Sequence, residues 1–168
     1  MRQHADRPMK TEFKKAVLPK ELDSLLAFDR KVFPKPDCFD RAYWLQVESH
    51  WLIVGKTKVG CCAFEKHVDF HDASGRAPKR EGSLYISTTG ILPKFQNRGF
   101  GPLLKSWEIA YARYHGFNRL ITNCRKRNTR MIALNRQFGF RIVRTIARYY
   151  SEPTDSSVLM ELLLDHAN

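Results

Sequence analysis

The sequence predicts a single-domain α/β (α+β) fold, a mixed, twisted seven-stranded sheet flanked by four helices. Three observations carry that expectation. A chain of 168 residues suits one ordinary domain and can bury a full core. Its 43 % hydrophobic and 12 % aromatic residues exclude an intrinsically disordered chain. Its hydrophobic periods read as strand, two helices, three strands in hairpin succession, helix, strand, helix and two strands, an order that calls for both parallel and antiparallel pairs.

Residues 1–11 carry no periodicity and are expected to form a loose tail before one domain over 12–168. Residues 14–18 read as a first strand ended by Pro19. Leu22, Leu25, Leu26, Phe28 and Val32 recur at helical steps over 21–32, and Phe33-Pro34-Lys35-Pro36 stops that helix. Asp37 or Asp40 can cap a second helix reaching about Glu48, with Phe39, Tyr43, Trp44 and Val47 on one side. Residues 50–54 and 59–66 form a hairpin across Gly55-Lys56-Thr57-Lys58. The polar stretch 68–82 reads as a loop, and 83–92 as a strand ended by Pro93. Leu103, Trp107, Ala110, Tyr111 and Tyr114 place a helix over 99–115, with Gly116 at its C-cap. A buried-type strand over 119–124 and a short helix over 128–138, closed by Gly139, follow. Strands over 140–147 and 157–164, turning at Glu152-Pro153-Thr154, end the chain.

No apolar run approaches the roughly 20 residues of a membrane helix. The first ten residues are polar and lack the apolar stretch of a signal peptide, so a cytoplasmic protein is expected. Cys38, Cys61, Cys62 and Cys124 show no CxxC or Cys/His metal spacing, which points to reduced, buried thiols and no metal. Charge is unevenly placed. Residues 94–148 hold 13 Lys and Arg against Glu108 alone, whereas the rest is formally neutral, so the whole net charge of +12 sits there. Such a segment suits phosphates, an acidic partner or nucleic acid.

Two motifs carry chemistry. Gln96-Asn97-Arg98-Gly99-Phe100-Gly101 stands between a strand and a long helix. Glycines let an anion approach the backbone closely, and the helix start offers unpaired N–H groups and the positive end of its dipole. No Gly-Lys-Ser/Thr follows, and a third dinucleotide-type glycine would fall at Leu104, so neither a Walker nor a Rossmann loop fits. In the second motif, Asn128 through Gly139-Phe140, Asn128 and Asn135 stand two helical turns apart with Met131 close by. That spacing suggests an amide stripe facing an extended ligand, with an N-cap as the other reading of Asn128.

Together these segments resemble the GNAT superfamily of acetyl-CoA-dependent N-acetyltransferases, over residues 50–164 in element order. The resemblance implies acetyl-CoA in a cleft between two splayed parallel strands. Residues 50–164 would then hold the coenzyme and 12–49 would face the acceptor. It also implies that Ile91 and Leu92 pair with the pantetheine arm and that Gln96, Asn97, Arg98, Gly99, Phe100 and Gly101 surround the pyrophosphate. Asn128 and Met131 would touch the coenzyme, and by charge alone Arg98, Arg125 and Arg130 are candidates for its ribose phosphate. Pro102 removes one customary amide donor. Asn135 stands where many members carry a tyrosine acid; an amide can orient a ligand but supplies no proton. The catalytic candidates are Asn135, Glu65 as base with Glu48 and Asp69 behind it, and Tyr85 as acid, with Tyr149, Tyr150, water or the incoming ammonium as other sources of that proton. The expected activity is acetyl transfer to a primary amine by a monomer or homodimer, with no membrane involved. A basic module that binds nucleic acid or an acidic partner through residues 94–148, with weak or no catalysis, is the alternative.

Overall fold

Local antiparallel pairing builds most of the sheet. In the computed structural model, which describes residues 9–70 and 76–165, β1 (Thr11–Lys15), β2 (Glu48–Val54), β3 (Thr57–Val68) and β4 (Lys79–Ile91) pair antiparallel in sequence. β5 (Arg119–Arg125) joins parallel to β4. The hairpin of β6 (Arg141–Tyr150) and β7 (Asp155–Leu163) then completes seven strands in the order β1-β2-β3-β4-β5-β7-β6. The four helices are α1 (Leu22–Val32), α2 (Arg41–Gln46), α3 (Phe100–Tyr114) and α4 (Thr129–Gln137).

Strand alternation divides the core between the two faces. Leu52, Cys62, Phe64, Leu84 and Leu120 pack with Leu104, Ile109 and Ala112 of α3. Trp51, Cys61 and Ala63 pack with Leu22, Leu25, Leu26 and Phe28 of α1 and with Trp44 of α2. The adjacent Cys61 and Cys62 thus enter opposite cores, and all four cysteines are free thiols. Asp40 caps α2, accepting the Tyr43 N–H at 2.8 Å.

The first strand starts three residues earlier than expected. Phe13 stacks on Trp107 with ring centroids 4.6 Å apart, and Thr11–Lys15 pairs with residues 50–54. Thr11 therefore belongs to the sheet, and residues 1–8 of the expected tail lie outside the described residues. β2 opens at Glu48, so the division expected at residue 50 falls inside a strand. Part of the expected loop over 68–82 is strand, since β4 begins at Lys79 opposite Val68; residues 71–75 lie outside the described residues.

The feature that makes a site is the parting of β4 from β5. They pair only from Ser83↔Arg119 to Ile86↔Thr122, where the Thr122 hydroxyl donates to the Ile86 carbonyl at 3.1 Å. A bulge leaves Ser87 unpaired against β3 at that level and bends β4 away. Beyond it, the β5-facing edge of residues 87–91 has no strand partner among the described residues.

Candidate active site

The splayed strands open a cleft of about 1290 Å³ that runs from the starts of α3 and α4 to the α1–α2 connection and the β6–β7 turn. At its first end Gln96 donates from Nε2 to the Ile91 carbonyl at 3.0 Å, pinning the turn to the end of β4. Asn97 (φ +61) and Gly99 (φ +82) are left-handed, and Gly99 is the N-cap of α3. Among the described residues the N–H groups of residues 97–99 find no backbone acceptor. Those of Phe100 and Gly101 belong to a first helical turn, which has none. A Cβ on Gly101 would meet only Leu134, at 3.7 Å, so the space over these donors is open. No carboxylate of the described residues lines this end. The donor set fits a diphosphate.

The opposite end is lined by tyrosines and two carboxylates. Tyr43 donates its hydroxyl to Glu65 Oε2 at 3.2 Å, and Glu65 lies in register with Tyr85 on the neighbouring strand. Burial, then the charge of Glu65, push the Tyr43 hydroxyl far above its ordinary pKa. Tyr85 donates to Asn123 Oδ1 at 2.5 Å; Asn123 in turn donates from Nδ2 to Tyr150 at 2.8 Å and to Ser157 at 3.1 Å. Burial and the neighbouring tyrosines keep Tyr85 protonated. Cys124 also lines the cleft, its thiol pushed by burial up to about 11.

The Acetyltransferase (GNAT) family model matches residues 20–140. The chain belongs to the GNAT acetyltransferase family. Similar solved structures share its fold across nearly their whole length. The ribosomal-protein-S18-alanine N-acetyltransferase of Escherichia coli has a TM-score of 0.76 at 13 % identity, over 95 % of this chain and 97 % of that one. Arabidopsis thaliana NAA60, solved with a bisubstrate analogue, has 0.73 at 15 %, over 94 % and 100 %. A Bacillus subtilis acetyltransferase in complex with CoA has 0.71 at 19 %, over 94 % and 99 %. No curated protein sequence matches significantly.

In this GNAT chain most of the expected coenzyme residues gather at the cleft. Ile91, Gln96, Asn97, Gly99, Gly101, Asn128, Arg130 and Met131 line it. Asn128 is the N-cap of α4, its Oδ1 accepting the Met131 N–H at 3.1 Å, so its amide nitrogen is the part left for a ligand. Arg130 bonds Asn97 Oδ1 at 2.5 Å, at the phosphate end. Phe100 packs its ring into the core, and Arg98 lies against Phe95 at 5.6 Å. Neither residue lines the cleft.

The surroundings of four expected site residues differ from those the sequence suggested. The Leu92 N–H donates to Val59 at 2.9 Å, so it is not open to a pantetheine arm. Asn135 is 1 % exposed and outside the cleft, with Nδ2 3.7 Å from Met160 Sδ. Its position between Ile132 and Phe138, both packed on the core, puts it on the inner face of α4. Because Asn128 precedes the helix, the two asparagines share no stripe. Arg125 is not available to a ribose phosphate: Nε and Nη2 each lie 2.7 Å from Asp37 oxygens, and it also donates to the Ser151 and Pro153 carbonyls. Tyr85 lines the cleft, but its proton goes to Asn123, which weakens it as an acid. Asn123 and Tyr43 escape a motif search. Strand alternation, which sets Asn123 on the face of Ile121 and Arg125, was the available signal.

Proposed function

We propose that this GNAT chain transfers acetyl from acetyl-CoA to a primary amine. One observation carries the reading: a single cleft joins a diphosphate-type nest to a carboxylate–tyrosine chamber across an unpaired strand edge. The similarity to N-acetyltransferases, an alanine N-acetyltransferase among them, supports an amine acceptor.

Acetyl-CoA, when bound, supplies an activated thioester whose acyl carbon an amine can attack directly. The nest at residues 97–101 would hold the diphosphate, and the edge of residues 87–91 would offer backbone groups to the pantetheine arm. Glu65, oriented by the Tyr43 hydroxyl, receives the acceptor ammonium and takes its proton. Tyr150 is the proton donor on the leaving side. Asn123 donates to its oxygen, and that bond leaves the tyrosine its own proton to give, whereas the proton of Tyr85 is committed. A panel of primary amines with acetyl-CoA, read by thiol release, tests the activity. Glu65→Gln is expected to lower kcat/KM by roughly 10²–10⁴-fold. A wild type that releases no thiol with any amine would end this reading.

A further inference from the structure

The chamber holds one cation that neither the coenzyme end nor the fold employs. Among the described residues three basic side chains line the cleft. Arg125 is tied to Asp37, and Arg130 bonds Asn97 at the phosphate end. Arg148 makes no hydrogen bond, ion pair or ring contact with any described residue.

Its placement comes from a defect in the sheet. β6 pairs with β7, with one earlier register shift at Val143, up to Ile146↔Ser157 and resumes at Tyr150↔Asp155, so residues 147–149 oppose Ser156 alone. Arg148 takes φ +53, a left-handed conformation that an L residue adopts only under constraint. Such bulges re-aim side chains, and Ala147, Arg148 and Tyr149 all line the cleft. Arg144, equally without an ionic partner on the same strand, is in register with Leu159 and does not line the cleft. Sheet order sets β6 on the far side of the β4–β5 opening from β3. A carboxylate, Glu65, therefore stands on one wall and a guanidinium on the other. With Asp37 already neutralised by Arg125, an incoming anion would meet a free fork of donors suited to two carboxylate oxygens.

We infer that the acceptor amine also carries a carboxylate, read by Arg148, so that acceptors are bound at two points, ammonium to Glu65 and carboxylate to Arg148. This rests on the amine-transfer reading, and the test separates the two. Carboxylates could come from free amino acids or from peptide N-termini with an acidic residue nearby. One arm therefore uses ω-amino acids from glycine to 6-aminohexanoate, each against its primary amide. The other uses short peptides with Glu at the second or third position, each against the Gln counterpart.

Binding is measured by calorimetry on the CoA-loaded protein, and acetyl transfer to the same compounds by thiol release. In wild type the best acid should bind roughly 10- to 100-fold more tightly than its amide, the scale of a charge-assisted contact. Arg148→Ala should bring that ratio below about 2, Arg148→Lys should keep an intermediate ratio, and Arg148→Glu should invert it. Arg148→Gly, which suits the left-handed backbone, should match the alanine variant and removes any folding objection. A ratio near one for every wild-type pair, or one unchanged in Arg148→Ala and Arg148→Gly, overturns the inference. So does an equal loss of acetyl-CoA affinity in those variants, because the arginine would then serve the coenzyme. Discrimination without acetyl transfer would refute the amine-transfer reading and keep the anion subsite; transfer without discrimination would do the reverse. The arm that shows the ratio identifies the source.

Discussion

Arg125→Ala removes the strongest tie between the two loops at the chamber end. The guanidinium holds both oxygens of Asp37, reaches two carbonyls of the β6–β7 turn, and lies 4.6 Å from the centroid of the Tyr150 ring. The side chains of Arg125 and Asp37 are 9 % and 14 % exposed, so water compensates little for a lost partner. Breaking a buried pair from one side costs about 3–5 kcal/mol, and the partial exposure of Asp37 argues for the lower figure, about 3. In a domain of this size each kcal/mol moves Tm by about 2–4 °C, so Arg125→Ala should melt about 6–12 °C lower. Asp37→Ala should cost only about 1–2 kcal/mol, since Arg125 keeps its two carbonyls and the Tyr150 ring. Urea titrations of both single variants and the double should return a coupling energy of about 1.5–2.5 kcal/mol. The clamp joins elements at the acceptor end, so KM for the amine should rise while acetyl-CoA affinity stays near wild type. Strictly additive stabilities, or a loss confined to the coenzyme, would refute the clamp.

Gly101→Asp should fold, because a Cβ there meets only Leu134, yet lose acetyl-CoA binding by calorimetry through charge in the anion nest. Wild-type affinity in the folded variant would remove the nest from that role. Asn135→Leu should keep acetyl transfer within about two-fold and raise Tm or leave it unchanged, since Oδ1 is buried without a partner. A ten-fold loss of turnover would return Asn135 to the site. Stability should also fall on acidification. Burial holds His50 below its ordinary pKa, so its contribution is present above about pH 6.5 and lost below it. Burial raises the Glu48 carboxyl, but hydrogen bonds from Lys66, Tyr111 and His50 outweigh that and hold it well below the usual range. Its contribution is present above about pH 4.3 and lost below. Urea titrations of Glu48→Gln should lose the lower step and enlarge the His50 step, because Glu48 supports the imidazolium. An unchanged lower step would count against the network.

The sequence revealed what depends on local chemistry. Gly99 after a strand and before a helix announced the nest, Asp40 the α2 cap, and the alternation of residues 119–125 a central strand. Features that depend on partners distant in the chain stayed hidden. Arg125 reads as a phosphate ligand until Asp37, 88 residues earlier, is folded beside it. Asn135 reads as functional because the spacing argument counts from Asn128 as a helical residue, whereas the N-cap reading of Asn128 is the one the fold realises, and it sets that residue before the helix. The bulge that turns Arg148 into the cleft arises from mismatched pairing between β6 and β7, invisible in either strand alone.

Spatial pairing also changes what the basic segment means. Along the chain, residues 94–148 concentrate all of the net charge. In the fold, Arg119, Arg125, Arg127 and Arg141 are matched by Asp69, Asp37, Asp155 and Glu161, all carboxylates from outside that segment, and Lys105 is matched by Glu108. Lys94, Arg98 and Lys126 stand in the connections flanking the phosphate end, and Arg130 lines it. A coenzyme with three phosphates is a sufficient counterion for those four. Arg148 faces the acceptor chamber, which leaves Arg113 in the last turn of α3, where a cation suits the helix dipole, and Arg136 and Arg144 exposed on α4 and β6. A nucleic-acid interface of useful affinity neutralises some 6–10 phosphates. Three exposed arginines fall short of that within this segment, so the segment by itself favours the proposed coenzyme and acidic acceptor over a polyanion-binding module.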